Sequence, residues 1–127
     1  MTDFKQQYKA KLTTCDALVK QFKPGQVIGL GAWYGEAYGV INALNENSAD
    51  LKDIFISSAI ATCPSSYMEN PDIAIGTGFF GPQERAAEAS VGNVYYTPIN
   101  YCDGIGMAKY GHKADYQIYR SGPMDDR

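Results

Sequence analysis

Short apolar runs rich in β-branched residues alternate with segments of helical periodicity along this chain, and this alternation constrains the fold most. The apolar runs predict strands over residues 26–31, 54–60, 73–80, 94–99 and 114–119. Helical spacing covers residues 5–22 with a break, 36–47 and 83–90, while 103–110 is predicted to be helical or coiled. Such alternation is typical of βαβ units, so we expect an α/β fold, a mostly parallel sheet with helices on both faces.

Size and charge narrow the class of protein. The 127 residues fit one domain, 1–127. The net charge is −3 and no basic block occurs, which argues against a nucleic-acid partner. The chain has no long apolar run and its first residues are polar, so we expect neither a membrane span nor a signal peptide, and a cytoplasmic location.

Histidines and cysteines are too few and too scattered for a metal centre. The only histidine is His112, and the cysteines are Cys15, Cys63 and Cys102. An odd number of distant cysteines fits neither a zinc site nor a complete disulfide framework. We therefore expect no metal and no bound cofactor.

The turns after the predicted strands are where a parallel sheet binds ligands. The first is rich in glycine, with Gly29, Gly31 and Gly35 ahead of Glu36. Its spacing, Gly-x-Gly-x-x-x-Gly, differs from the dinucleotide fingerprint, and no acidic residue follows the second strand where that fingerprint needs one. Tight packing of the turn and contact with a phosphate or substrate remain alternatives. Glu36 is a candidate for the site or a simple complement to the helix dipole.

Hydroxyl and amide side chains follow the second and fourth strands. Ser57 and Ser58 are candidates for substrate binding, but no base accompanies them and no nucleophile elbow is present, so a serine hydrolase is disfavoured. Ordinary hydrogen bonding at the strand end is their alternative role. Asn100, after the fourth strand, would line a pocket or cap the next helix.

The segment after the third strand is the most distinctive. Phe79, Phe80, Gly81 and a proline open a helix, and Arg85 lies in its first turn. A cation there opposes the helix dipole, so an anionic ligand, a carboxylate partner or a dimer contact would explain it. Simple solvent exposure is the alternative. Phe80, Gly81 and Arg85 therefore complete the candidate substrate-binding set.

Several segments together resemble the acetyl-CoA hydrolase/transferase family, which includes 4-hydroxybutyrate, butyryl, propionyl and succinyl-CoA:acetate CoA-transferases. The segment Phe79-Phe-Gly-Pro-Gln-Glu-Arg and the following Tyr-Tyr-Thr-Pro strand carry the likeness most specifically. The chain departs from the family at Glu36-Ala37, where Glu-Pro is frequent, and after the fourth strand. The other similar segments are 9–19, 22–28, 51–54 and 119–127.

The resemblance implies covalent catalysis by a glutamate that forms an acyl anhydride and then a glutamyl-CoA thioester. In that family the nucleophile lies in a C-terminal domain, so the resemblance implies an N-terminal domain, no catalytic residue here, and one wall of an acyl pocket. Coenzyme A would be a substrate, with an acyl-CoA, a small carboxylic acid and the missing C-terminal domain as partners.

The predicted last strand is followed by a turn without a covering helix, which independently suggests a fragment with an exposed face and hence a homo-oligomer. Two alternatives remain open. One is a free-standing α/β module that binds a phosphorylated ligand at the Gly29–Gly35 turn. The other is a relative of sugar-phosphate isomerases, for which the sequence offers no base.

Overall fold

A five-stranded parallel sheet organises the residues that the structure, a computed structural model, describes, namely 4–98 and 113–122. The order across the sheet is β4-β3-β2-β1-β5, and every neighbouring pair is parallel. The α/β class predicted from the sequence is therefore confirmed. The strands are β1 (Val27–Leu30), β2 (Ile54–Ser58), β3 (Ile73–Thr77), β4 (Val94–Tyr96) and β5 (Tyr116–Ile118).

Four α-helices accompany the sheet in the part of the chain that the structure describes. The predicted break in the first helical segment is confirmed, because the Thr14 hydroxyl accepts the N–H of Ala17 at 3.1 Å and so begins a new helix. Short 3₁₀ turns lie at Trp33–Gly35, Ser48–Asp50 and Ser66–Glu69. The helices are α1 (Phe4–Lys11), α2 (Cys15–Val19), α3 (Tyr38–Asn47) and α4 (Pro82–Ser90).

The core lies on one face of the sheet. The strand registers align Ile28, Ile56, Ile75 and Val94 in one row, and all four are buried. Buried residues of α2, α3, the third 3₁₀ turn and α4 join the same cluster. Because side chains alternate along a strand, this row faces the helices, and its burial in the core contributes to hydrophobic stability.

The opposite face carries small and polar residues. Gly29, Ser57, Gly76, Tyr95 and Gln117 form its central row. Ser57, Tyr95 and Gln117 are exposed. Within the described residues, the buried side chains of the helices pack against the first face of the sheet. The segment 103–110, predicted to be helical or coiled, lies outside the described residues.

Three strands end at least two residues earlier than the apolar runs that predicted them, and one of these is β4, which stops at Tyr96 rather than at residue 99. β2 stops at Ser58 rather than at residue 60, and β3 stops at Thr77 rather than at residue 80. The N–H of Phe79 donates to Ala59 O at 2.9 Å, and the Thr77 hydroxyl lies 3.1 Å from the same carbonyl. These bonds fold the two strand ends against each other, and the apolar residues beyond them form loops. Within the described residues, no helix has both the length and the apolar character to cross a bilayer.

Asn93 joins β3, β4 and the third 3₁₀ turn. Its side chain is buried, and Nδ2 donates to the carbonyls of Met68, Asn70 and Ile73 at 2.9, 3.1 and 2.8 Å. Such a bond set holds the turn before β3 against the start of β4, because buried carbonyls without donors are costly.

We expect Asn93→Ala to lower the free energy of unfolding by about 2–4 kcal/mol, because it removes the side-chain donor of the Met68 and Ile73 carbonyls, whereas Asn70 O keeps the N–H of Ile73. Urea denaturation measures the loss. Asn42→Ala, on the exposed side of α3, is the matched control and should change stability by no more than about 0.5 kcal/mol. Equal effects of the two substitutions would contradict the role given to Asn93.

Candidate site at the carboxyl edge of the sheet

The loop after β2, residues 59–65, is held by two buried carboxylates. Glu84 Oε1 accepts the N–H of Ala61 at 2.7 Å, and Glu36 Oε1 accepts the N–H of Thr62 at 3.0 Å. The Thr62 hydroxyl also donates to Glu36 Oε2. Glu36 and Glu84 are 1% and 0% exposed. Hydrogen bonds to charged acceptors are the stronger kind, so the two glutamates fix this loop at the edge where parallel sheets bind ligands.

Two amide side chains complete the anchoring of this loop. Gln83 Nε2 donates to Ala61 O at 3.2 Å and to Cys63 O at 2.8 Å, while its Oε1 accepts the N–H of Ser65 at 2.9 Å. Asn45 of α3 donates to Pro64 O at 2.9 Å. The loop is therefore bonded to both helices that flank it and forms a pre-organised wall.

Glu84 leaves one oxygen without a partner. Its Oε2 is buried and has no hydrogen bond within the described residues. A Cβ placed on Gly81 would lie 2.6 Å from this oxygen and 3.4 Å from the Ile60 side chain. Gly81 has φ −76°, so its backbone does not need glycine. The glycine is required by the close approach of a buried carboxylate.

Two ionisable side chains in or near this loop, Cys63 and Tyr67, have raised pKa values. Burial raises the pKa of the Cys63 thiol, and the negative charge of Glu36 raises it further. Burial also raises the pKa of the Tyr67 hydroxyl well above its usual range. Since the thiolate is the reactive form of cysteine, Cys63 is a poor nucleophile at neutral pH.

Exposed aromatic rings line the same edge, and we call Trp33, Tyr34, Phe79, Phe80 and Tyr96 the aromatic rim. Trp33 packs on Phe79 with ring centroids 6.0 Å apart, and Phe80 meets Tyr96 edge-on at 6.3 Å. Tyr34 is 91% exposed. Trp33 has φ +48°, a conformation that is unfavourable for a bulky residue. An exposed apolar surface of this kind marks an interaction site.

The glycine-rich turn after β1 is packed against its own backbone. A Cβ on Gly31 would lie 2.2 Å from Gly35 O. Gly31 N–H donates to Ile118 O, and Arg120 N–H donates to Gly35 O, each at 2.9 Å. The turn itself therefore fills the space at Gly31. This contact agrees with tight packing of the turn, one of the two roles considered for its glycines.

The serine candidates lie on opposite faces of the sheet. Ser57 is exposed on the face without helices, whereas Ser58 is buried on the helical face. Strand alternation separates neighbouring residues in this way. The structure does not bring the two hydroxyls together.

The remaining candidates are distributed along the edge. Phe80 is half-buried in the aromatic rim, and Gly81 caps α4. Arg85 is exposed on α4, and within the described residues it forms no ion pair. Asn100 lies outside the described residues. The structure therefore brings Glu36 and Gly81 to one loop and leaves Arg85 in solvent.

Sequence analysis missed the role of the Gln83-Glu84 pair. Its signal was present, since a Glu two residues after the helix-opening proline is at the position of a capping-box acceptor. Here the carboxylate accepts a hydrogen bond from a loop distant in sequence instead. Within the described residues, no group of three or more acidic, histidine or cysteine side chains could hold a metal ion.

Comparison with known proteins gives a likeness in fold. The chain matches no protein-family model and no curated protein. It is similar to RipA from Yersinia pestis, with a TM-score of 0.82 and 19% identity over 98% of this chain and 32% of RipA. A point variant of RipA gives a TM-score of 0.84 and 21% identity over 98% and 31% of the two chains. The chain thus spans less than a third of RipA, and the fold is what they share.

We expect Gly81→Ala to destabilise the protein by about 1–3 kcal/mol, because the new methyl group meets the buried Glu84 oxygen. Gly78→Ala is the matched control, since no atom lies within 4 Å of its Cβ position. The effects of Gly81→Ala and Glu84→Ala should be non-additive. Thermal or urea unfolding of both single variants and the double variant measures this coupling, and additive effects would contradict it.

Cys63 should react with iodoacetamide more slowly than the exposed Cys15 at neutral pH, because its raised pKa keeps the thiol protonated. Glu36→Gln removes the nearby negative charge and should move the pH profile of Cys63 alkylation to lower pH. Peptide mapping by mass spectrometry follows each cysteine separately, and Cys15 is the internal control. An unchanged Cys63 profile would contradict the proposed influence of Glu36.

Proposed function

We propose that this chain is a domain of a CoA-transferase that moves coenzyme A between an acyl-CoA thioester and a short carboxylic acid. The observation that supports it most is the position of the most family-like segment. Residues 79–87 provide the rim phenylalanines, Gly81 and Glu84, and Glu84 holds the loop after β2. The motif that suggests the family is thus a structural element of the ligand-binding edge.

The side chains at this edge are better suited to form one wall of a substrate pocket than to act as catalytic groups. Glu36 and Glu84 are buried and accept hydrogen bonds from the loop, so neither is free to attack a thioester. The raised pKa of Cys63 disfavours its thiolate, and among the described residues no base is hydrogen-bonded to the hydroxyl of Ser57 or Ser58. On this proposal the nucleophilic glutamate belongs to another domain of the protein.

The proposed reaction needs a carboxylate nucleophile. The glutamate attacks the thioester carbonyl, giving an acyl-glutamyl anhydride and CoA thiolate. The thiolate then attacks the glutamyl carbonyl and releases the first acid, leaving a glutamyl-CoA thioester. The acceptor carboxylate reverses these two steps and leaves as the new acyl-CoA. The aromatic rim would provide an apolar, water-poor surface for this exchange.

An exchange assay with labelled acetate and acetyl-CoA tests the proposal. We expect residues 1–127 alone to show no exchange, whereas a protein in which this domain is joined to its catalytic domain should exchange label. Hydroxylamine trapping of the glutamyl thioester there should mark a glutamate outside this chain. Full activity of residues 1–127 alone, or trapping at Glu36 or Glu84, would contradict the assignment of the nucleophile.

A further inference from the structure

An open cavity of about 410 Å³ lies beside the first turn of α3, away from the anchored loop. Ala37, Tyr38 and Val40 form one side of it, and Tyr119 and Arg120 form the other. Cys15 of α2 also lines the cavity, close to Gly39, where an added Cβ would lie 2.9 Å from Sγ. The walls are therefore apolar and aromatic, with one arginine.

Strand order places this cavity at a special point of the sheet. The chain runs from β1 to β2, β3 and β4 in one direction, whereas β5 lies on the other side of β1. Ligands of open parallel sheets bind outside the carboxyl ends of strands where the order reverses. The cavity is lined by residues that follow β1 and β5, the two strands at that reversal.

Arg120 gives the cavity a positive charge that no carboxylate in residues 4–98 or 113–122 pairs with. Its guanidinium lies 5.3 Å from the centre of the Tyr38 ring, and its backbone N–H is bonded to Gly35 O. Within the described residues no carboxylate forms an ion pair with it. Among the described acids on the segments that line the cavity, Glu36 faces Thr62, Asp16 accepts from Asn47, and Asp115 accepts the N–H of Val27. A stacked, unpaired arginine suits recognition of a planar or tetrahedral oxyanion.

We propose that this cavity binds a small organic anion, a carboxylate or phosphate carried on an apolar body. The charged group would pair with Arg120, and the apolar body would lie on Tyr119, Ala37 and Val40. No residue of the anchored loop lines this site, which borders the Gly31 turn through Tyr119 and Arg120, and the proposal does not depend on the proposed transferase activity.

Cys15 reports occupancy, because a ligand in the cavity should slow its alkylation. The probes are pentanoate and pentyl phosphate, with 1-pentanol as the neutral control. We expect both anions, and not the alcohol, to protect Cys15 in peptide mapping. Arg120→Gln should weaken protection about tenfold, since a charge-assisted hydrogen bond is lost. Arg85→Gln, another exposed arginine, is the matched control and should leave protection unchanged.

Amide chemical shifts of Gly39 and Ser121 provide a second measurement that does not need the thiol. Shift changes with the same affinity as Cys15 protection support the site. Protection by only one of the two anions also supports it and identifies the charged group. Equal protection by 1-pentanol, no protection by either anion, or full protection in a folded Arg120→Gln variant would overturn the proposal.

Discussion

The bonding of two buried glutamates to one loop is the interaction on which the carboxyl edge of this protein depends. Glu36, in the turn before α3, accepts the N–H of Thr62. Glu84, in the first turn of α4, accepts the N–H of Ala61. A hydrogen bond to a charged group contributes about 1.5–3 kcal/mol. Because both acids are buried, breaking either contact would leave a desolvated carboxylate, so the loop and the two helix starts form one unit.

That unit explains several features of the sequence that have no local cause. Position 81 requires glycine because Glu84 Oε2 lies against it, although the backbone conformation there suits any residue. The pKa of the Cys63 thiol is raised because the same arrangement partly buries it near the charge of Glu36. The early ends of β2 and β3 follow from bonds that Thr77 and Phe79 make to the carbonyl of Ala59, the first residue of the anchored loop. Two buried glutamates therefore lie inside this edge, and the aromatic rim lies on its surface.

The two proposals use different parts of this edge. The aromatic rim and the anchored loop would contact the acyl substrate of a transferase, with the nucleophile supplied from elsewhere in the protein. The cavity between the ends of β1 and β5 is set apart from them by the self-packed Gly31 turn. Arg120 charges that cavity, and in the part of the chain that the structure describes no carboxylate forms an ion pair with it. One edge can therefore hold an apolar surface and an anion site side by side.

The sequence by itself determined the α/β class, the parallel sheet, the helix break at Thr14 and the approximate place of every described strand. These follow from local periodicity, turn residues and caps, which are properties of neighbouring residues. It could not determine that Glu84 bonds to Ala61, that Ser57 and Ser58 face opposite sides, or that Arg120 lies over Tyr38. Those contacts depend on strand order and register, which only tertiary packing sets. Of the residues predicted to bind substrate, the structure places Glu36 and Gly81 at the anchored loop and Arg85 in solvent, and their role in binding stays a prediction.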